Sequence, residues 1–174
     1  MCARPDAHLA GRRSLQQRCT RIKQMASLLF FLIGVMGAGL SIGVLTAPGD
    51  WYAALQKPVF NPPNWVFGPV WTLLYLGIAY VGWRLWQQEN QRILRQLWTL
   101  QMGLNLLWSP AFFAAQMPKL ALLIILMLLG TIFFFERRAW QSDRLSAVVF
   151  MPYLAWVSFA TTLNAAIVYL NWTI

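Results

Sequence analysis

The sequence predicts an all-helical membrane protein, a bundle of five membrane-crossing helices, and three observations carry that prediction. Apolar residues make up 59% of the 174-residue chain, more than a water-soluble domain of this size can cover. Charged residues make up only 11%, against roughly a quarter in soluble domains. The apolar residues also fall into long runs. A hydrocarbon core about 30 Å thick needs about 20 of them per crossing, so five crossings account for most of the apolar content. A soluble enzyme, a disordered chain and a nucleic-acid-binding domain are excluded on these grounds. The net charge of +9 does not reverse this, because the basic residues sit in the N-terminal stretch and between apolar runs.

Residues 1–24 are polar and lack apolar periodicity, and they hold Arg4, Arg12, Arg13, Arg18, Arg21 and Lys23. They are expected to form a disordered tail. Met25 directly precedes the first apolar run and is an alternative start to Met1. That run, 26–47, is longer than the roughly 7–15 apolar residues of a signal peptide. Pro48 would also follow any cleavage point at Ala47, so the run is expected to be a retained helix. Residues 48–64 contain Pro48, Pro58, Pro62 and Pro63 and cannot form one regular helix; they are expected to be a long loop that acts as a lid. Four further spans are predicted at 65–86, 97–116, 119–135 and 147–172. The connection at Met117-Pro118-Lys119 is short enough to make its two helices antiparallel neighbours. Apolar runs of this length do not fit barrel strands.

Charge sets the orientation. With five spans, one side carries twelve basic residues, namely the six of the tail, Arg84, Arg92, Arg95, Arg137, Arg138 and Arg144; the other carries only Lys57 and Lys119. The positive-inside rule then puts the N-terminus in the cytoplasm, with the proline-rich loop and the C-terminus outside.

No Asp, Glu or His falls well inside a predicted span, and the single histidine, His8, lies in the tail. This disfavours ion-coupled pumping and denies a bound haem any histidine ligand from the membrane body. No nucleophile triad, phosphate-cradling glycine loop or metal cluster is present, and Cys2 and Cys19 form no framework. A conventional enzyme is not expected, nor a metal site or an obligatory cofactor.

The ten tryptophans are the positive signal. Trp83, Trp86, Trp98, Trp140 and Trp172 lie at span ends, where indole rings anchor at the interface. Others converge by helical period. Trp71 and Tyr75 are four apart; Gln101, Asn105, Trp108 and Phe112 follow at four, three and four; Tyr153, Trp156, Ala160 and Asn164 follow at three, four and four. Amides in hydrocarbon are costly unless they face protein or ligand, so both polar stripes should point inward. Either Gln101, Asn105 and Asn164 merely join helices, or the stripes line an aromatic cavity suited to a flat, largely apolar, conjugated ligand. Gly34, Gly37, Gly39 and Gly43 on the first span read as close helix packing, within the bundle or between protomers.

At Trp51-Tyr52-Ala53-Ala54-Leu55-Gln56-Lys57-Pro58 and Asn61-Pro62-Pro63-Asn64-Trp65 the chain resembles the TspO/translocator-protein family, also called tryptophan-rich sensory proteins or peripheral-type benzodiazepine receptors. The resemblance continues at Pro69-Val70-Trp71, Leu104-Asn105, Trp108-Ser109-Pro110-Ala111-Phe112-Phe113, Pro152-Tyr153-Leu154-Ala155-Trp156, Phe159-Ala160-Thr161 and Leu163-Asn164. It implies a five-helix bundle, commonly a homodimer, with a pocket closed by the first loop. Family members bind porphyrins such as protoporphyrin IX and haem, isoquinoline carboxamides and benzodiazepines, and in animals cholesterol. Porphyrin or haem would thus be a ligand, in tetrapyrrole sensing, sequestration or transport. Positions matching the family pocket are Tyr52, Trp71, Asn105, Trp108, Trp156, Ala160 and Leu163, to which the stripe adds Gln101. Trp51, Lys57, Pro58, Asn61, Pro62 and Pro63 belong to the lid, where Lys57 is a candidate partner for a propionate. The tryptophans matching Trp71 and Trp156 are implicated in light-dependent porphyrin breakdown by some bacterial relatives, which makes photo-oxidation an alternative activity; small-molecule transport is another. Two tyrosines of the animal sterol motif are Ala165 and Ala166 here, with no basic residue following, so strong sterol binding is not expected there. Relatives are reported in outer membranes, whereas the charge asymmetry favours the cytoplasmic membrane.

Overall fold

A computed structural model describes the backbone of residues 6–172 and the side chains of residues 21–172. Six α-helices follow one another: α1 (Asp6–Leu45), α2 (Asp50–Ala54), α3 (Phe67–Trp86), α4 (Arg92–Ser109), α5 (Pro118–Ser142) and α6 (Arg144–Leu170). A 3₁₀ turn, Asn64–Val66, leads into α3, and a π-helical stretch, Pro110–Ala114, extends α4. No strand occurs among the described residues. Four segments are long and apolar enough to cross a bilayer: Arg21–Leu45, Asn64–Trp86, Pro118–Ser142 and Arg144–Leu170. α1 packs along α3, α3 on α6, α6 on α5 and α5 on α4, which closes the ring against α1 and α3.

Several expected boundaries shift. α1 begins at Asp6, so residues 6–24 continue the first helix where a disordered tail was expected. Beyond Pro5 the stretch is rich in Ala, Leu, Arg and Gln, good helix formers, and a helix already nucleated extends through them at little cost. The lid is not all irregular. Asp50–Ala54 forms a short helix before Pro58, with Asp50 in its first turn, where a carboxylate favours the helix dipole. α5 passes the expected end at 135 and runs to Ser142, because Arg137 and Arg138 lie on its exposed side while Phe135 and Ala139 are buried. Asp143 alone then separates α5 from α6. Glu136, one residue past the expected end of that span, sits on the buried face with one carboxylate oxygen unpartnered.

Prolines mark the turns. Pro118 opens α5, where a missing N–H costs nothing. Pro110 cannot donate to the preceding turn, and the ladder beyond it widens to Ala115 N–H on Pro110 O at 2.8 Å. Gln116, at φ 54°, then reverses the chain in the left-handed conformation that ends many helices.

The end of the bundle remote from the lid is solid. Val81, Leu85, Leu94, Ile132, Phe135, Ala139, Ala147 and Phe150 are essentially inaccessible. The rings of Phe135 and Phe150 stack at 4.4 Å. Trp98, expected as an interfacial anchor, is buried here and donates to the Ile78 carbonyl at 2.9 Å. Asp143 ties the same end together. It accepts from Arg84 Nε at 2.9 Å and Nη2 at 3.0 Å, from Gln88 Nε2 at 3.0 Å and from Ser146 Oγ at 2.8 Å. Burial alone would raise the Asp143 carboxyl, but these hydrogen bonds outweigh it and hold the group below its ordinary value.

Candidate functional site

At the lid end the helices enclose a cavity of about 420 Å³, within the usual range for small-molecule pockets. Its wall comes from α1 (Gly39, Gly43), the lid (Tyr52), α3 (Phe67, Trp71, Tyr75), α4 with its π extension (Asn105, Trp108, Phe112) and α6 (Ala160, Leu163).

Two stacked aromatic pairs dominate it. Trp71 lies on Tyr75 with centroids 5.3 Å apart and planes 29° from parallel, which follows from their i, i+4 spacing on α3. Trp108 lies on Phe112 at 5.4 Å and 28°, again four residues apart.

Polar groups in the wall are held largely by one another. Tyr75 donates to Asn105 Oδ1 at 3.0 Å, Asn105 Nδ2 to Tyr153 Oη at 2.9 Å, and Tyr153 to Gln101 Oε1 at 2.9 Å. Trp108 Nε1 donates to Asn164 Oδ1 at 3.1 Å, and Asn164 Nδ2 to the Pro118 carbonyl at 3.0 Å. The Asn164 bonds also fix α6 to the start of α5. Both readings of the amides therefore apply: they join helices, and Asn105 and Asn164 also face the hollow.

The lid is seated on aromatic rings. Tyr52 is 5% exposed and meets Phe112 and Phe113 edge-on at 6.1 and 5.3 Å, while Trp51 meets Phe112 at 5.9 Å. Burial pushes the Tyr52 hydroxyl up, against the smaller opposing effect of its bond to Asn61. Lys57 bonds the Ala53 and Leu55 carbonyls and sits 4.7 Å over the Tyr52 ring, so it braces the lid. The lid is latched to the end of α6 by a reciprocal pair, Gln56 N–H to Asn171 Oδ1 at 3.0 Å and Asn171 Nδ2 to the Gln56 carbonyl at 2.9 Å.

Of the residues expected at the site, Tyr52, Trp71, Asn105, Trp108, Ala160 and Leu163 line the cavity. Gln101 and Trp156 do not. Gln101 is fully buried one turn deeper on α4, with its Nε2 unpartnered. Trp156 stands behind the wall, edge-on to Phe67 at 5.8 Å and tilted on Phe159 at 5.6 Å, with its indole N–H unpartnered. Among the lid residues, Trp51, Lys57, Pro58, Asn61, Pro62 and Pro63 shape or brace the loop but are not in the wall. Asn171 and the Thr46–Ser109 hydrogen bond, at 2.6 Å between α1 and α4, escaped the sequence reading. A polar residue just past a helix end has no periodicity to reveal it.

Comparison with known proteins agrees with this architecture. The profile of the TspO/MBR family matches residues 26–170. The chain is 38% identical over 155 residues to the tryptophan-rich protein TspO of Archaeoglobus fulgidus, covering 86% of this chain and 97% of that one. It is 34% identical to the tryptophan-rich sensory protein of Cereibacter sphaeroides, covering 84% and 92%. To the human translocator protein it is 40% identical over 119 residues, covering 66% and 70%. The chain belongs to the TspO/MBR family and is an integral, multi-pass membrane protein.

Proposed function

We propose that this TspO/MBR family member is a five-span membrane receptor that binds and sequesters a planar, metal-free tetrapyrrole in the cavity beneath the lid. The observation that carries the reading is the pair of stacked aromatic couples, Trp71 on Tyr75 and Trp108 on Phe112, in the wall of one largely apolar hollow. Extended rings gain by offset stacking beyond simple apolar burial, and a macrocycle offers the area to use both couples.

The fifth crossing in this reading is α4 with its π extension. It is the least apolar of the long helices because Arg92 and Arg95 open it and because Gln101 and Asn105 turn inward. Its packing against α1, α3 and α5 supports counting it as a crossing in the same layer. The positive-inside rule puts the N-terminus in the cytoplasm and the lid outside. Assembly as a homodimer belongs to the same reading. Gly34 and Gly37 are exposed on α1, with open space around the position of an added Cβ.

The wall favours free-base porphyrin over haem. It contains no His, Cys or Met, and its two buried tyrosines commit their hydroxyls, Tyr75 to Asn105 and Tyr52 to Asn61, so no ready axial ligand faces the hollow. Isoquinoline carboxamides and benzodiazepines, being flat and largely apolar, are expected to compete for the same space.

Titration of protoporphyrin IX into the reconstituted protein should quench tryptophan fluorescence saturably. Absence of saturable quenching would defeat the reading. Light-dependent porphyrin breakdown is a second reading, supported by the Trp71 indole in the wall. Illumination of the complex with loss of the porphyrin absorption band tests it.

A further inference from the structure

We propose that ligands enter this cavity sideways from the bilayer, through a slot between α1 and α3 at Gly43 and Gly68, while the lid stays latched. The proposal rests on the cavity being the binding site.

Three boundaries are closed. Above, the lid is held by the reciprocal Gln56–Asn171 bonds and by Tyr52 against Phe112 and Phe113. Between α1 and α4, Thr46 and Ser109 are hydrogen bonded at 2.6 Å. Deeper between α1 and α3 the helices touch: a Cβ on Gly39 would collide with the Tyr75 ring.

One turn toward the lid the same pair of helices separates. Gly43 and Gly68 both line the cavity, both are exposed, and a Cβ on either would meet nothing within 4 Å. A residue that faces the hollow and the outside together marks a mouth. Leu40, Val44 and Asn64 complete its rim, with Leu40 42% and Val44 77% exposed. The rim carries no charge.

Gly43 lies two residues before the end of α1, roughly 3 Å along the axis at about 1.5 Å per residue. The mouth therefore opens at the outer boundary of the hydrocarbon. Planar amphiphiles with an apolar ring system and polar edges collect at that depth. The glycines thus act as specificity determinants. They admit a flat molecule already dissolved in the membrane, whereas water-borne polar compounds meet the latched lid.

Stopped-flow quenching with protoporphyrin IX, on protein in phosphatidylcholine vesicles, tests this. Gly43→Leu and Gly68→Leu narrow the mouth, and each is expected to slow association and dissociation together by about tenfold, as a higher barrier requires; because both positions also line the cavity, affinity is expected to change by less than either rate. Asn171→Ala releases the latch and is expected to leave both rates unaltered. Faster association in Asn171→Ala, with wild-type rates in both glycine variants, would overturn the slot in favour of the lid. So would leucine variants that lose affinity through faster release, because their side chains would then act inside the site. Wild-type protein that shows no saturable quenching would instead count against the cavity as the binding site.

Discussion

The two ends of this bundle use the same kinds of side chain to opposite effect. Remote from the lid, Phe135 and Phe150 stack at 4.4 Å amid residues of almost no accessibility. Near the lid, Trp71 on Tyr75 and Trp108 on Phe112 stack at 5.3 and 5.4 Å but leave about 420 Å³ open beside them. The polar groups do not follow the same division: Asp143 is satisfied by three partners at the solid end, but Glu136 Oε1 there is as unpartnered as Gln101 Nε2 and Trp156 Nε1. Filled space stabilises a fold and unfilled space costs stability. On the proposed reading, the contrast gives stability to one end and binding to the other.

The largest expected effect lies at the solid end. Phe135→Ala should cost about 3–5 kcal/mol, the range for emptying a buried aromatic site, measured as a lower unfolding midpoint in detergent. The protein that remains folded should bind porphyrin as before. A strong loss of affinity at permissive temperature would blur the division.

Next comes the double substitution Trp71→Ala with Trp108→Ala. Removal of two ring surfaces, each contributing about 0.5–1.5 kcal/mol beyond its area, should weaken porphyrin binding by at least tenfold. A smaller change in unfolding midpoint than that of Phe135→Ala would sharpen the comparison.

Asp143→Asn should cost about 1–2 kcal/mol, below the 3–5 of a fully buried pair because the Arg84 side chain is 34% exposed. The pH dependence follows from the direction of the shift. The folded-state carboxyl titrates below its unfolded value, so its contribution is complete above the unfolded pKa of about 3.9 and fades as pH falls through the folded value. The wild type should lose stability below about pH 4, and Asp143→Asn should lack that part of the acid limb. Equal acid sensitivity in both would remove the role given to this network.

The smallest effect is expected at Trp156. Its ring lies behind Phe67 and outside the wall, so Trp156→Phe should change porphyrin affinity less than twofold, under about 0.4 kcal/mol. A loss comparable to that at Trp71 would mean that the wall rearranges around the ligand.

What the sequence revealed divides along physical lines. Long apolar runs and prolines are one-dimensional signals, so the existence and order of the helices and of the lid were legible, while the start of the first helix at Asp6 and the end of α5 at Ser142 were not. The i, i+4 pairs Trp71–Tyr75 and Trp108–Phe112 were legible because helical spacing fixes which side chains share a face. Depth along the axis was not. Gln101 and Asn105 share a stripe, yet one turn separates the solid core from the hollow, and period alone carries no such coordinate. Trp156 shares a stripe with Ala160 and Asn164, but a bulky side chain at the edge of a stripe can turn behind a neighbour. The glycines of α1 show the same limit. Gly39 is in close contact with Tyr75 as small-residue packing predicts, while Gly43, four residues on, borders open space. The helical stretch 6–24 was missed because its charge outweighed its helix-forming composition.

The most direct test of the central claim is an absorption titration of free-base protoporphyrin IX into the wild type and the Trp71→Ala, Trp108→Ala protein, with unfolding midpoints recorded on the same samples. Saturable band shifts in the wild type, with affinity lowered at least tenfold in a variant that remains folded, are the predicted outcome. Equal affinity in two folded proteins would place the ligand elsewhere and contradict the account.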